Sequence, residues 1–596
     1  MSLLSDLLGD CAPVQQFWPL LKISFALLTA AVVYYCVKWS SSALRCRRLI
    51  SKMGARREAQ FAKLEASVGV DDELRGRILA LSVEALIDAM KSEEYSVREV
   101  LDSFVWKALS VQRRCNCVVE FCEEAFDAAD RLDSQREDKA HLPLFGLPFS
   151  VKENQAMEGY HVCFGLLGSL SRGAEIENSS MVDRLVELGA IPFCRTTTSQ
   201  ALLSFACSSP LWGLTQHPRH PLRSPGGSSG GESCLVAAGG SPFGVASDAA
   251  GSMRIPAHFT GLVTLKPTAA RFPVTGTPSP TPRGTLLAVG FGFLTRDVDD
   301  NAFLLKSCLQ EEYFARVPYC VPMPLTRNEP PQRRLRIGYY LDDGFFAPHH
   351  ACQRAVKEAV AALSGARNEF EAVPFAVPNP HDAFRLTTQA LLPDNGATLI
   401  DLFLEEPVDD TLARTVRGLK FPLFARRLVS RALRLLGWSA AATLVGSYVA
   451  SLKGLRLMTD EVVEYRRSFV DRWRERRLDA LVVPAFLVPA MKTEHTSRLP
   501  VAHFSTSLYN LLDFPAGVVP VTSVKVSDER ELSAATQDAW CPLLTALREG
   551  TDDGVGLPVG VQVVTLPYRE ELCLYVMRYI ERMFSHRRAD ADCRPS

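Results

Sequence analysis

Ser224-Pro225-Gly226-Gly227-Ser228-Ser229-Gly230-Gly231-Glu232 is the densest run of small residues in the chain. Ser247-Asp248-Ala249-Ala250-Gly251-Ser252-Met253-Arg254-Ile255-Pro256 follows shortly after it. Small residues crowded around serines let backbone N–H groups converge on one point, as an oxygen that becomes negative during acyl transfer requires. Upstream, Gly146-Leu147-Pro148-Phe149-Ser150-Val151-Lys152-Glu153 sets a lysine at the end of an apolar run. Removed from water, an ammonium group is disfavoured; its pKa falls and the amine becomes able to take a proton. Two serines and a buried amine are the parts of a nucleophile with its base.

Three other readings of the glycine-serine run compete. Gly226-Gly227-Ser228-Ser229-Gly230 satisfies GxSxG, but the nucleophile elbow of that motif needs a strand immediately before it. His217 to Pro225 carries three prolines among polar residues and reads as loop. A phosphate-binding loop would continue into GK[ST], which is absent. A flexible linker would explain the composition, but neither the lysine motif nor the second serine cluster.

The rest of the composition narrows the class. The chain has 596 residues, 47% apolar and 22% charged, enough for one large α/β body with additions. Its net charge of −1, from 66 basic and 67 acidic residues, gives no global field for nucleic acid, and no nucleic-acid partner is expected. Sixteen cysteines are scattered. The tightest group, Cys115, Cys117 and Cys122, lacks paired CxxC spacing and a nearby histidine. It reads as buried free thiols of a reducing compartment, with no metal expected. The lone sequon Asn178-Ser179-Ser180 is weak evidence for secretion.

From Leu144 onward, short apolar runs recur at Phe145 to Val151, Ala190 to Cys194, Leu335 to Tyr340, Ala480 to Val483, Gly517 to Val521 and Val559 to Val564. Helical patterns separate many of them, including Met181 to Leu188 and His350 to Leu363. The alternation predicts an α/β fold with a large mixed, twisted sheet covered by helices on both faces. Glu58 to Asp138 reads as helices wrapped on that body, and the proline- and arginine-rich stretch Val317 to Arg334 as a surface crossing.

Two segments point to a bilayer. Phe17 to Trp39 carries only Lys22 and Lys38 as charges, and a helix of that length spans about 34 Å against a hydrocarbon core of roughly 30 Å. Met1 to Gln16 holds Asp6 and Asp10 and no basic residue, which argues against a cleaved signal peptide. Lys38, Arg45, Arg47, Arg48, Lys52, Arg56 and Arg57 follow the span, so the body is expected on the cytosolic side. Further on, Thr411 to Thr459 contains nine basic residues and no acidic one. Within it, Phe424, Leu428, Val429, Ala432, Leu433, Leu435 and Leu436 fill one half of a helical wheel, and Arg426, Arg427, Arg431 and Arg434 the other. Such a helix suits acyl chains and lipid phosphates. The expected organisation is a membrane anchor with its basic flank over 1–57 and a catalytic domain over 58–590, with a membrane-binding cap at 411–440.

Taken together, Gly146 to Glu153, Gly226 to Glu232 and Ser247 to Pro256, continuing through Gly261-Leu262-Val263-Thr264-Leu265-Lys266-Pro267-Thr268, resemble the amidase signature family. Tyr509-Asn510-Leu511-Leu512-Asp513-Phe514-Pro515-Ala516-Gly517-Val518-Val519-Pro520-Val521 and Gly556-Leu557-Pro558-Val559-Gly560-Val561-Gln562 resemble its branch of membrane-bound fatty acid amide hydrolases. The resemblance covers about 70–585 and implies a serine hydrolase that needs no cofactor. In it Lys152 is the base, Ser228 the relay and Ser252 the nucleophile. The backbone N–H groups of Ala249, Ala250, Gly251 and Ser252 hold the oxyanion, and Asp248 and Arg254 support the loop. Leu202, Leu203 and Phe205 line an acyl channel, and the Gly227–Ser228 bond is cis. It further implies long-chain primary amides or N-acylethanolamines as substrates, short or aryl amides being the alternative, and a homodimer in an endoplasmic-reticulum-like membrane. Ala250 departs from the branch, which has two glycines before the nucleophile; its methyl favours a negative φ and narrows the oxyanion site.

Overall fold

The computed structural model describes residues 12–69, 71–281, 286–326, 333–404, 406–449, 451–536 and 540–592, with side chains at 12–22, 28, 31–33, 35–39 and 586–592 left outside the description. Thirteen strands are present among them. They are β1 (Val118–Phe121), β2 (Pro148–Lys152), β3 (Ile191–Thr196), β4 (Ser208–Ser209), β5 (Gly213–Leu214), β6 (Gly244–Asp248), β7 (Val263–Lys266), β8 (Gly290–Thr295), β9 (Leu335–Tyr339), β10 (Phe370–Pro374), β11 (Ala480–Pro484), β12 (Ala516–Ser523) and β13 (Pro558–Thr565). Eleven form one sheet in the order β1-β3-β2-β6-β8-β7-β12-β13-β11-β9-β10, while β4 and β5 pair separately.

The sheet is mixed. β2 runs parallel to both β3 and β6, β9 parallel to β10 and β11, and the pairs from β6 through β13 to β11 are antiparallel. Central strands β2, β6, β7, β8 and β11 are buried at every residue. Such strands read as continuous apolar or small runs because helices cover both faces. Phe149 stacks on Phe243 at 5.4 Å, and Phe243 meets Phe293 edge-on at 5.7 Å, tying adjacent strands into one core.

Ala12–Ser67 is one helix that runs through the expected boundary at 57/58. From Cys46 onward it packs on the body, with Cys46, Leu49, Ile50 and Met53 against Leu167 and Trp212, and Phe61 in the main core. Among the described residues no helix is long and apolar enough to cross a membrane. The expected span at 17–39 lies in the N-terminal part of this helix, where many side chains fall outside the description. Of those described, Ile23, Phe25, Leu27 and Tyr34 are exposed.

The segment 411–440 holds all but the first residue of the Asp410–Leu419 helix, the Leu423–Leu435 helix and the start of Ser439–Gly446. Phe424, Leu428, Val429, Leu435 and Leu436 face outward, as does Phe421 before them. Arg426 departs from the wheel. It is buried, and its guanidinium donates to the carbonyls of Gly418, Leu419 and Phe421. The C-terminal carbonyls of a helix lack intrahelical donors, and the five N–H groups of an arginine supply them. Arg426 therefore joins two helices, leaving Arg427, Arg431 and Arg434 on the exposed polar side.

Candidate active site

β2 and β6 are parallel neighbours, so their C-terminal ends open at the same edge of the sheet. β2 ends on Lys152 and β6 on Asp248. Ser228 precedes the Gly230–Ala237 helix, and Ser252 lies in the short turn between β6 and the Arg254–Thr260 helix. The two serine loops meet there: Ser229 N–H donates to the Ser252 carbonyl at 3.2 Å.

Every residue from Ser224 to Val236 is buried, which excludes a linker, and the stretch before Ser228 is loop rather than the strand an elbow requires. Glycine is needed here for close approach. A Cβ on Gly227 would lie 2.2 Å from the Ser204 carbonyl oxygen, and one on Gly231 would lie 2.6 Å from the Thr197 backbone. The Gly227–Ser228 peptide bond is cis.

Lys152 is fully buried, and its Nζ sits 2.8 Å from Ser228 Oγ and 3.4 Å from Ser247 Oγ. Burial drives its pKa down to about 7, against the opposing pull of Asp248, Cys207, Glu232 and Glu153. The amine is thus half-neutral near neutral pH, as a base must be. Glu232 lies beneath the same strand pair and accepts from Ser150 Oγ at 2.5 Å and Thr196 Oγ1 at 2.7 Å; burial raises it to about 8. Glu153 is fully occupied by Thr198 Oγ1, Trp212 Nε1 and Gly165 N–H.

Ser252 is half-buried, and among the described residues its hydroxyl makes no hydrogen bond. The loop that carries it is held from below. Asp248 accepts from the N–H groups of Gly251 (2.8 Å), Met253 (3.2 Å) and Arg254 (3.3 Å), and from the Arg254 guanidinium at 2.8 and 3.0 Å. Burial alone would raise this carboxyl; Arg254 overcomes it and holds Asp248 well below the usual carboxylate range. Arg254 in turn donates to the Thr506 carbonyl, Gln562 Oε1 and Asn510 Oδ1, while Thr506 Oγ1 donates to the Ala250 carbonyl at 2.6 Å.

The Gly251 N–H, expected to face the oxyanion, is committed to Asp248. Three expected donors remain, at Ala249, Ala250 and Ser252. Gly251 itself has φ +116°, a region that L side chains avoid, and a Cβ there would come within 2.2 Å of Thr506 Oγ1. Ala250 has no positive φ, so its methyl costs the turn no backbone strain. The three expected channel residues separate. Leu202 and Leu203 pack under the cap with Phe164, Leu399, Phe403 and Val416, whereas Phe205 meets Phe486 edge-on at 5.6 Å in the main core.

Sequence reasoning assigned no role to Asn154, Ser247, Thr506, Asn510 or Gln562. Four of them stand inside stretches quoted above, or one residue beyond, but nothing local shows that they converge.

The amidase family model matches residues 99–574, and the chain belongs to the amidase signature family: it is a serine amidase. Among its relatives is fatty acid amide hydrolase 1 of Caenorhabditis elegans, 33% identical over 567 residues, covering 93% of this chain and 98% of the relative. Fatty-acid amide hydrolase 1 of Sus scrofa is 34% identical over 581 residues, 94% and 96% of the two chains. A solved fatty acid amide hydrolase shares the fold with a TM-score of 0.73 at 22% identity, covering 92% of this chain and 96% of its own. A bacterial aryl acylamidase does so at 0.64 and 20%, covering 87% and 99%.

Proposed function

We propose that this chain hydrolyses fatty acid amides, long-chain primary amides or N-acylethanolamines, to a fatty acid and an amine or ammonia. In this reading Ser252 Oγ bonds to the carbonyl carbon, its proton passes to Ser228, and the Ser228 proton passes to the neutral amine of Lys152. The carbonyl oxygen, now negative, takes the N–H groups of Ala249, Ala250 and Ser252. The proton returns through Ser228 to the nitrogen as the C–N bond breaks, because an amide anion is a very poor leaving group. Water then releases the acid from Ser252 by the same relay. The observation that carries the reading is the fully buried Lys152 amine, 2.8 Å from Ser228 Oγ.

The lipid part rests on the names of the two relatives and on the exposed apolar residues of the Leu423–Leu435 helix. Aliphatic and aromatic groups left in water beside arginines suit an interfacial helix. Glu406, just before this cap, accepts the Leu167 N–H at 2.9 Å and feels the charge of Arg45, so the Ala12–Ser67 helix leaves the body beside the cap. We infer that residues 17–39 anchor the chain in an endomembrane with the catalytic domain on the cytosolic side, as a homodimer.

Incubation with oleamide, an N-acylethanolamine, a short amide and an arylamide tests the proposal. Long-chain amides are expected to be preferred, with Ser252→Ala inactive and unlabelled by a fluorophosphonate. Equal hydrolysis by Ser252→Ala would remove the nucleophile assignment, and preference for arylamides would transfer the chain to the other substrate class.

A further inference from the structure

A chain of two polar groups outside the relay leads to the Lys152 amine. Ser247, next to last in β6, places Oγ 3.4 Å from Nζ, and Asn154 donates Nδ2–H to that same oxygen at 3.0 Å. Asn154 is 3% exposed, and its Oδ1 accepts no hydrogen bond from the described residues. An amide carbonyl buried without a partner is a standing cost, so what this side chain contributes lies at its N–H end.

We propose that Asn154 is a positioning residue for the base: acting through Ser247, it orients the Lys152 amine so that its lone pair faces Ser228. The inference rests on the relay proposed above. A neutral amine carries two hydrogens and one lone pair and rotates about Cε–Nζ among staggered positions; only one of these aims the lone pair at Ser228 Oγ. A serine hydroxyl has one hydrogen and two lone pairs. With the Asn154 N–H on one lone pair, Ser247 presents the other to an amine hydrogen and keeps its own hydrogen off the nitrogen. Without Asn154, the Ser247 hydroxyl is free to rotate and donate to the amine lone pair, in competition with Ser228. The other groups whose charge reaches the amine are Asp248 on β6, Glu232 on the Gly230–Ala237 helix, Glu153 beyond β2 and Cys207 before β4. Substitution at 154 leaves all four in place.

Steady-state kinetics across pH on Asn154→Ala, Asn154→Asp, Ser247→Ala and the Asn154→Ala/Ser247→Ala double variant, with Lys152→Ala alongside, test this. Asn154→Ala is expected to lower kcat about tenfold with little change in KM, the loss of one oriented hydrogen bond. The double variant is expected to be no worse than the poorer single, since both act along one path. A carboxylate at 154 favours the ammonium, so Asn154→Asp is expected to move the acid limb of kcat/KM up by about one pH unit. Asn154→Asp keeps the shape of the side chain and decides the matter if Asn154→Ala does not fold. A wild-type acid limb in Asn154→Asp, or additive losses in the double variant, overturns the proposal. Retention of wild-type kcat by Lys152→Ala instead overturns the relay itself, separately from the role of Asn154.

Discussion

Replacing water by protein around Lys152 makes a quantitative demand on the pH profile. With the amine brought to about 7 by burial, the neutral fraction is about 9% at pH 6, 50% at pH 7 and 91% at pH 8 by the ordinary titration relation. If the neutral amine is the base, kcat/KM, which reports the free enzyme, rises about tenfold between pH 6 and pH 8 and is nearly flat above. A lysine near 10.4, the value in water, would give a hundredfold rise over the same interval and no plateau below pH 10. The sign follows from the cause: burial disfavours the charged form, so the active form accumulates as pH rises through the lowered value. The assay is hydrolysis of a non-titrating fatty acid amide in detergent micelles from pH 5.5 to 9.5, at substrate levels well below KM. Lys152→Met keeps the apolar stem and removes the base. It is expected to lose about 10²–10⁴ in rate, the span of general-base catalysis, and to show no limb near pH 7. A wild-type profile that climbs a full decade per unit beyond pH 9, or a Lys152→Met profile that keeps the same limb, would refute the reasoning.

Three further outcomes follow from the loop around Ser252. Gly251→Ala forces a Cβ to 2.2 Å from Thr506 Oγ1 at φ +116°; crowding and backbone strain together cost about 2–5 kcal/mol. The turn relieves this by moving, so kcat is expected to fall about a hundredfold, and steady-state rates within twofold of wild type would contradict the account. Asp248→Asn breaks an ion pair whose two side chains are wholly buried, leaving the Arg254 charge uncompensated at about 3–5 kcal/mol; a urea midpoint shifted by less than about 1 kcal/mol of stability counts against it. Asp248→Asn/Arg254→Met, which removes both charges, is expected to recover much of the stability but not the activity, because Gly251 and Met253 still lose their carboxylate acceptor.

How far the sequence foretold this arrangement depended on how local each signal was. The runs at 480–483 and 559–564 were legible because strands buried on both faces are apolar throughout; the structure extends them to Ala480–Pro484 and Pro558–Thr565. Nothing in the sequence of β6 marks a strand. Its Gly-Val-Ala-Ser-Asp has neither alternation nor bulk, although all five residues are buried where it pairs with β2 and β8. β10 gives a weak signal for another reason: at the end of the sheet it is only partly buried and has one neighbour. In the site, the serines and the lysine announced themselves by composition. The groups that fix them did not, since Arg254 reaches Asn510 and Gln562 across 256 and 308 positions. The wheel at 424–436 separated the apolar residues correctly but put Arg426 in water. Helical periodicity says nothing of the carbonyls waiting at the end of the preceding helix.

Solvation in this chain is inverted at two places. Lys152, Asp248, Arg254 and Glu232 are removed from water, while Phe424, Leu428, Leu435 and Leu436 are left in it. Burying charge is costly unless the groups are paired or neutralised. Asp248 and Arg254 are paired, but Lys152 makes no ion pair among the described residues and touches two hydroxyls, and burial lowers its pKa to about 7. A second buried lysine, Lys266, shows that burial alone does not make a base: its Nζ donates to the Pro267 carbonyl at 3.0 Å, a use that needs the hydrogens rather than the lone pair. In the proposed relay the buried Lys152 amine serves proton transfer, while the Asp248–Arg254 pair holds the Ser252 loop. The second inversion serves no purpose in that chemistry. An exposed apolar helix face suits the proposed lipid amide substrate, which partitions into a bilayer. The two inversions are separable by experiment for the same reason: charges placed on the outer helix should lower activity on membrane-borne amides while leaving the pH limb set by Lys152 where it was.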